Sequence, residues 1–266
     1  MTTMTDNTHR FTGRAEDYDR YRQRYPIEEV LTLLRNWCGL EPSWLVADIG
    51  AGTGMLAEVF LENGNRVLAI EPNLDMRDQM HSALATSSHQ LEIIDAAAEA
   101  TTLPAASIDM VAVGRAFHWF DKDRALAEFR RILKPSGWIA LVSAGRARAT
   151  TDPNLAPQIK AFERILVDHG TDYNYVRSGY RVHEDMRDLF GPEATLHQAQ
   201  LPGAQQLDWP TFRGQTMSYS VVPQQDHPNY ESFQRELRLY FDTYAPTGTL
   251  TLPTTCWVTA VRFGTS

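Results

Sequence analysis

Short apolar runs and amphipathic stretches alternate along the first half of the chain. Residues 44–50 (WLVADIG) are apolar and end in glycines, the pattern of a strand buried on both faces of a parallel sheet. A helix is expected over 54–61, closed by Gly64, then a strand over 66–70 and a helix over 73–84. Strands follow over 91–95 and 108–114. Asp121 or Asp123 can cap the next helix, which runs to Leu133 with Phe129, Ile132 and Leu133 on one face. Residues 134–137 (KPSG) form a sharp stop before a fifth strand over 138–143. Strand and helix alternating through short connections predict right-handed βαβ units and a doubly wound, mostly parallel α/β sheet.

After about Gly145 the rhythm changes. Residues 155–169 read as an amphipathic helix, followed by aromatic chain around Tyr173, Tyr175 and Tyr180. Helices are expected over 211–219 and 230–244, and residues 255–263 alternate as a strand returning to the sheet. The expected organisation has a disordered stretch at 1–10 and a core with an N-terminal cap segment at 11–145. A helical lid that includes a return strand occupies 146–250, and the final core strand 251–266. In the cap, Arg14, Arg20, Arg22 and Arg24 interleave with Tyr18, Tyr21 and Tyr25, and Pro26 opens a helix reaching about Trp37.

Composition narrows the function classes. With 266 residues, 43% hydrophobic and 22% charged, the chain can bury a sizeable core. Its net charge of −8 does not attract phosphate backbones or anionic lipid, so neither nucleic acid nor membrane is the expected partner. The two cysteines, Cys38 and Cys256, form no CxxC pair, and residues 1–7 hold no apolar core of a secretory signal; the cytoplasm is the expected location. His81, His89, His183, His197 and His227 lack metal-ligand spacing, and no metal site is expected.

The chemistry concentrates where the first strand turns into the first helix, at Asp48-Ile-Gly50-Ala51-Gly52-Thr-Gly54. A nucleotide fingerprint of the G-x-G-x-x-G kind needs a third glycine where Met55 stands. The turn begins instead with a carboxylate, Asp48, which suits a ligand bearing an ammonium group better than one bearing a pyrophosphate. The second strand ends in Glu71-Pro72, and a carboxylate there can accept hydrogen bonds from ribose hydroxyls.

These features resemble the class I S-adenosylmethionine-dependent methyltransferases, with their seven-stranded Rossmann-like fold. Residues 48–54 look like the first motif of that family and Glu71 like its ribose-binding acid. Ala97-Ala98-Glu99 with Leu103-Pro104 resembles the loop lining the adenine. Residues 108–137 resemble the fourth strand, the helix after it and the following turn. Ala116-Phe117-His118-Trp119-Phe120, with residues 11–15 (FTGRA) and Tyr18-x-x-Tyr21-Arg22, is similar to a subgroup of trans-aconitate methyltransferase-like and natural-product enzymes. The resemblance implies cofactor contacts from Tyr18, Arg22, Asp48, Gly50, Ala51, Gly52, Glu71, Pro72, Met76, Ala97, Ala98, Glu99, Arg115 and Ala116. Two positions depart from the pattern. Ala97 stands where an acid is common, leaving the adenine amino group to backbone, water or Asp95, and Arg115 replaces a smaller or neutral polar residue.

The expected activity is methyl transfer from S-adenosyl-L-methionine to an O, N or C atom of a small metabolite, releasing S-adenosyl-L-homocysteine, in a monomer or homodimer. His118 is the candidate base, since a free pKa of about 6.5 suits proton transfer near neutrality. The bland alternative packs it between Phe117 and Trp119. Tyr21 is a second catalytic candidate and Arg22 a partner for the methionyl carboxylate, against a reading of both as ordinary packing. A cofactor-binding protein without transferase activity, and methylation of a protein or nucleic acid, stay open as alternatives.

Overall fold

The computed structural model describes residues 15–264 apart from 88, 149–152, 172 and 174–185. The disorder expected at 1–10, the segment 11–14, and Tyr175, Tyr180 and His183 lie outside the described residues. Two helices lead in, α1 (Ala15–Tyr21) and α2 (Ile27–Cys38). Val30, Leu31 and Leu34 bury one face of α2, and Gly39 ends it in the left-handed region, its N–H donating to the Arg35 carbonyl and the Leu40 N–H to the Leu34 carbonyl. Then come β1 (Leu45–Ile49), α3 (Met55–Glu62), β2 (Arg66–Ile70), α4 (Leu74–Ala83), β3 (Leu91–Ile94), β4 (Ile108–Gly114) and α5 (Lys122–Ile132). Asn73 and Asp121 cap α4 and α5 by accepting from the backbone N–H groups of Met76 and Arg124.

The fifth strand starts earlier than its apolar run. β5 spans Leu133–Arg146 and follows α5 directly. Ile108 pairs with Leu133 and Met110 with Trp138, so residues 134–137, expected as a stop, bulge out of β5 instead. The Asp109 carboxylate pins the bulge, accepting from Lys134 Nζ at 2.8 and 2.9 Å and from the Leu45 N–H at 2.9 Å.

Beyond β5 lie α6 (Ala156–His169), α7 (Met186–Phe190), β6 (Thr195–Leu207), α8 (Trp209–Met217), α9 (Tyr230–Tyr244) and β7 (Leu250–Arg262). The helix expected over 211–219 begins at Trp209 because the Asp208 carboxylate accepts the Thr211 N–H at 3.0 Å. One seven-stranded sheet results, in the order β3-β2-β1-β4-β5-β7-β6, with β7 antiparallel to both of its neighbours. This is the doubly wound, mostly parallel sheet that the strand and helix alternation predicted, with the seven strands that the resemblance implies.

Three apolar clusters hold it. One face of the sheet packs on α2 and α3 around Phe60, the other on α5 around Phe129, both rings fully buried. Burying a ring of that size contributes about 1.5–3 kcal/mol. The third cluster, built around Phe162, Phe212 and Phe233 of α6, α8 and α9, is the core of the lid. Cys38 and Cys256 are free thiols. Among the described residues no helix is long and apolar enough to cross a membrane.

Candidate active site

Strand order reverses between β1 and β4, which are paired neighbours whose following helices pack on opposite faces. A crevice opens at the carboxyl ends of the strands at such a switch point. β1 enters it through Gly50, Gly52 and Gly54, with φ of 67°, 58° and 86°. The N–H groups of Gly50 and Ala51 donate to the Ile70 carbonyl at 2.8 and 3.1 Å, tying the turn to the end of β2. A Cβ on Gly50 would stand 2.7 Å from Ala116 Cβ and 3.0 Å from Phe120 Cζ. Only a glycine lets the turn after β1 approach the turn after β4 so closely.

Glu71 closes the crevice at the end of β2. Its Oε2 accepts the Gly52 N–H and its Oε1 the Asn73 N–H, both at 2.9 Å. Arg77 Nη1 donates to the Glu71 and Pro72 carbonyls at 2.9 and 2.8 Å, which fixes that strand end. Burial raises the Glu71 pKa, while the two N–H donors and Arg77 oppose the rise. The cleft so formed encloses about 830 Å³ of space between atoms, part of it open solvent.

Of the residues expected at the cofactor, Tyr18, Gly50, Gly52, Glu71, Pro72, Met76, Ala97, Ala98, Glu99, Arg115 and Ala116 line this cleft. Asn73, Gly114, Trp119 and Phe120 line it as well. Asn73 announces itself by its capping position ahead of α4, and Gly114 by ending the strand at the switch point. The two aromatics carry no such local mark, since rings of this kind are more often core.

The remaining candidates lie around the cleft and outside its wall. Ala51 is buried in the turn. His118 sits in the short 3-10 turn Phe117–Trp119 with its ring centroid 4.3 Å from that of Trp119. The Tyr21 ring lies against Gly214 of α8, where a Cβ would come within 2.7 Å of it. The Arg22 guanidinium is sandwiched between the rings of Tyr18 (5.0 Å) and Tyr219 (4.6 Å), joining the cap segment to the lid. Asp95, a candidate for the adenine amino group, pairs with Arg77 at 2.9 Å.

Arg115 is held with φ of 56°, donating from Nη1 to the Gln23 carbonyl at 3.0 Å and stacking over Tyr25 at 4.7 Å. Burial alone would raise the Tyr18 hydroxyl, but Arg115 and Arg22 together pull it below its ordinary value.

Asp48 lies behind the cleft wall and is fully buried. Neither of its carboxylate oxygens completes a hydrogen bond among the described residues. Burial pushes its pKa up to about 7, aided by the Glu71 charge and opposed by the Ala57 N–H at the start of α3. An acid whose folded value lies above the ordinary 3.8 takes up a proton on folding, so its contribution to stability declines as pH rises from about 4 to 7 and is level above. Asp48→Asn, which has no such proton, is expected to be more stable than the unaltered chain by roughly 2–4 kcal/mol at pH 8, the gain shrinking towards pH 4. Urea unfolding at the two pH values measures this; a gain independent of pH would count against the assignment.

A family model described as a methyltransferase domain matches residues 47–141, the span from β1 to β5 that builds the cleft. An uncharacterised methyltransferase of Mycobacterium tuberculosis is 36% identical over 132 residues, which is 50% of this chain and 51% of that protein. The chain thus spans about half the length of such curated relatives. A ubiquinone/menaquinone biosynthesis C-methyltransferase of Bordetella parapertussis is 28% identical over 198 residues, covering 66% of this chain and 76% of that protein. Among solved structures, a protein from Anaeromyxobacter dehalogenans described as a type II methyltransferase superposes with a TM-score of 0.62 at 26% identity, covering 91% of this chain and 97% of its own. The phosphoethanolamine N-methyltransferase 2 of Haemonchus contortus, solved with S-adenosylhomocysteine, shares the fold at a TM-score of 0.54 and 12% identity, covering 99% of this chain and 61% of its own.

Proposed function

Because residues 47–141 match the methyltransferase-domain family and the sheet is that of the class I enzymes, we propose that this chain methylates a small-molecule acceptor with S-adenosylmethionine. The observation that carries the cofactor reading is a glycine-walled cleft with the Glu71 carboxylate at its rim. Glu71 stands at the rim with its carboxylate at the end of β2, where ribose hydroxyls can donate to it. Asp48 is fully buried behind the glycine turn and outside the cleft wall, so it acts on the turn rather than on the ligand by contact. Ala97, Ala98, Met76 and Phe120 supply the apolar walls an adenine ring requires. Gly50 and Gly52 present backbone to the amino-acid end, near Tyr18 and Arg115.

S-adenosylmethionine supplies a methyl group already activated by its sulfonium, so the chain itself has to place the acceptor and, where needed, take a proton. Trp119 lines the cleft and also packs against the lid cluster, so the acceptor enters between the sheet edge and the lid. His118, its ring tilted against that of Trp119, is the proposed base, and Tyr21 with Arg22 closes the cap onto α8 and Tyr219. Among O, N and C acceptors, the similarity to the quinone-biosynthesis relative favours carbon. Two free thiols favour a reducing, cytoplasmic setting.

Calorimetric titration with S-adenosylmethionine and, separately, S-adenosylhomocysteine tests the cofactor; micromolar binding of both is expected, and binding of neither would end this reading. His118→Ala is expected to lower turnover roughly 100-fold while leaving S-adenosylhomocysteine affinity within about twofold. Retained turnover would leave His118 a packing residue.

A further inference from the structure

The stretch after β3 supplies part of the cleft wall, yet it does not hold its own course. Ala97, Ala98 and Glu99 line the cleft, and Thr101, just beyond them, is fully buried. Thr102 and Ala106 follow with φ of 64° and 49°. That left-handed region costs any L side chain energy, and a β-branched one rarely enters it. Such strain persists only where neighbouring structure over-determines the backbone.

The neighbour here is α5. The Asp121 N–H at its cap donates to Glu99 Oε1 at 2.8 Å. About two helical turns further on, Glu128 Oε1 accepts the Thr101 N–H at 2.9 Å and the Thr101 hydroxyl at 2.6 Å. Arg131 grips the same carboxylate through Nε and Nη2, each at 2.7 Å, and its Nη2 also donates to the Leu103 carbonyl at 2.8 Å. The Ala106 and Ser107 N–H groups complete the lacing on the Arg131 and Ile132 carbonyls. Arg131, helped by both Thr101 donors, holds the Glu128 carboxyl down to about 2, so the clamp is charged at neutral pH.

What the loop can offer a purine depends on this lacing. Ala97 and Ala98 carry no polar side chain, Asp95 is paired with Arg77, and Glu99 gives one oxygen to the α5 cap. The purine edge is left to the main chain of residues 97–99 and to the second Glu99 oxygen, groups that all move with the loop.

We propose that Glu128 is a positioning residue: without touching the cofactor, it fixes through Thr101 the loop that tells adenine from other purines. The proposal rests on the reading that this cleft holds S-adenosylmethionine with its adenine against Ala97 and Ala98. Hydrogen bonds weaken steeply with misalignment. A loop free to shift would still bury a purine between apolar walls, but it would no longer match the purine edge. Held in place, its polar groups reject an analogue with the wrong edge, because they are then left unpaired.

The test is calorimetric titration of the full chain with S-adenosylhomocysteine and with S-inosylhomocysteine. The inosine analogue keeps the ribose, the amino-acid end and the ring faces, but an oxo group replaces the 6-amino group and N1 gains a hydrogen. The unaltered chain is expected to prefer S-adenosylhomocysteine about 30-fold. Glu128→Ala should narrow that preference to about threefold, weakening S-adenosylhomocysteine about tenfold and moving the inosine analogue by less than about twofold. Thr101→Val keeps the side-chain shape and the Glu128–Arg131 pair, and should narrow the preference to about tenfold. It carries the test if Glu128→Ala does not fold. Equal loss of both ligands would make the clamp merely structural and overturn the proposal. So would a preference unchanged in both variants, or no preference in the unaltered chain. Failure of the unaltered chain to bind S-adenosylhomocysteine would strike the cofactor reading, and this proposal with it.

Discussion

Gly50→Ala is expected to destabilise the protein by about 2–5 kcal/mol, from the sum of backbone strain and overpacking. The backbone at Gly50 has φ of 67°, a region where a Cβ crowds the following carbonyl. The new methyl would also stand 2.7 Å from Ala116 Cβ and 3.0 Å from Phe120 Cζ. Neither neighbour yields easily. Ala116 has no rotamer to change, and the Phe120 ring is already set edge-on against Phe117 and Phe129 at 6.0 and 6.4 Å. The turn after β1 would have to move away from the turn after β4, and the cleft between them would change shape. Thermal unfolding should shift down by roughly 5–15 °C, and S-adenosylhomocysteine affinity should fall more than about tenfold. A variant within about 2 °C of the unaltered chain would show that the two turns separate at little cost. Gly52→Ala is the natural control. It shares the positive φ of 58°, but its Cβ would meet nothing within 4 Å. It should lose only the strain, about 1–2 kcal/mol.

Glu71→Ala is expected to weaken S-adenosylhomocysteine binding by roughly 2–3 kcal/mol, a factor of about 30 to 150. Two effects add. The carboxylate is the acceptor for the Gly52 and Asn73 N–H groups, so its loss leaves two donors of the cleft rim unsatisfied. It is also the group proposed to receive the ribose hydroxyls. Arg77 still grips the carbonyls of residues 71 and 72, so the strand end should keep its course and the protein should fold. Glu71→Gln separates the two effects. One amide oxygen can still accept from Gly52 or Asn73, whereas the NH₂ group would face the other N–H. Affinity unchanged in both variants would remove Glu71 from the cofactor site, whatever its role in the turn.

Much of the fold is legible in the sequence because its signals are local. The apolar runs at 67–70 and 110–113 are short and continuous, and they lie within β2 and β4. The helix over 230–244 also matches, since Phe233, Leu237, Tyr240 and Phe241 recur at helical spacing. β6 is different. Its 13 residues, TLHQAQLPGAQQL, carry polar side chains on an edge strand largely open to solvent, so only pairing with β7 marks it as a strand. β5 begins at Leu133 for a similar reason: the Lys134–Asp109 pair and the ladder to β4 hold a bulge that local turn chemistry reads as a stop.

The site divides the same way. The glycine turn and Glu71 were determined by the sequence itself, because positive φ and a carboxylate at a strand end are properties of a few adjacent residues. Which side of the wall Asp48 occupies was decided by tertiary structure. It shares the sheet face of Val46, alternation having turned it towards the α3 side and away from the cleft. Trp119 and Phe120 became cleft walls only when β4 was laid beside β1. In the lid, the meeting of Arg146, Phe162, Tyr173 and Tyr240 is the most distant from sequence. Four residues spread over nearly a hundred positions are brought to one point by the lid's packing on the sheet edge, and no local pattern encodes a contact of that separation.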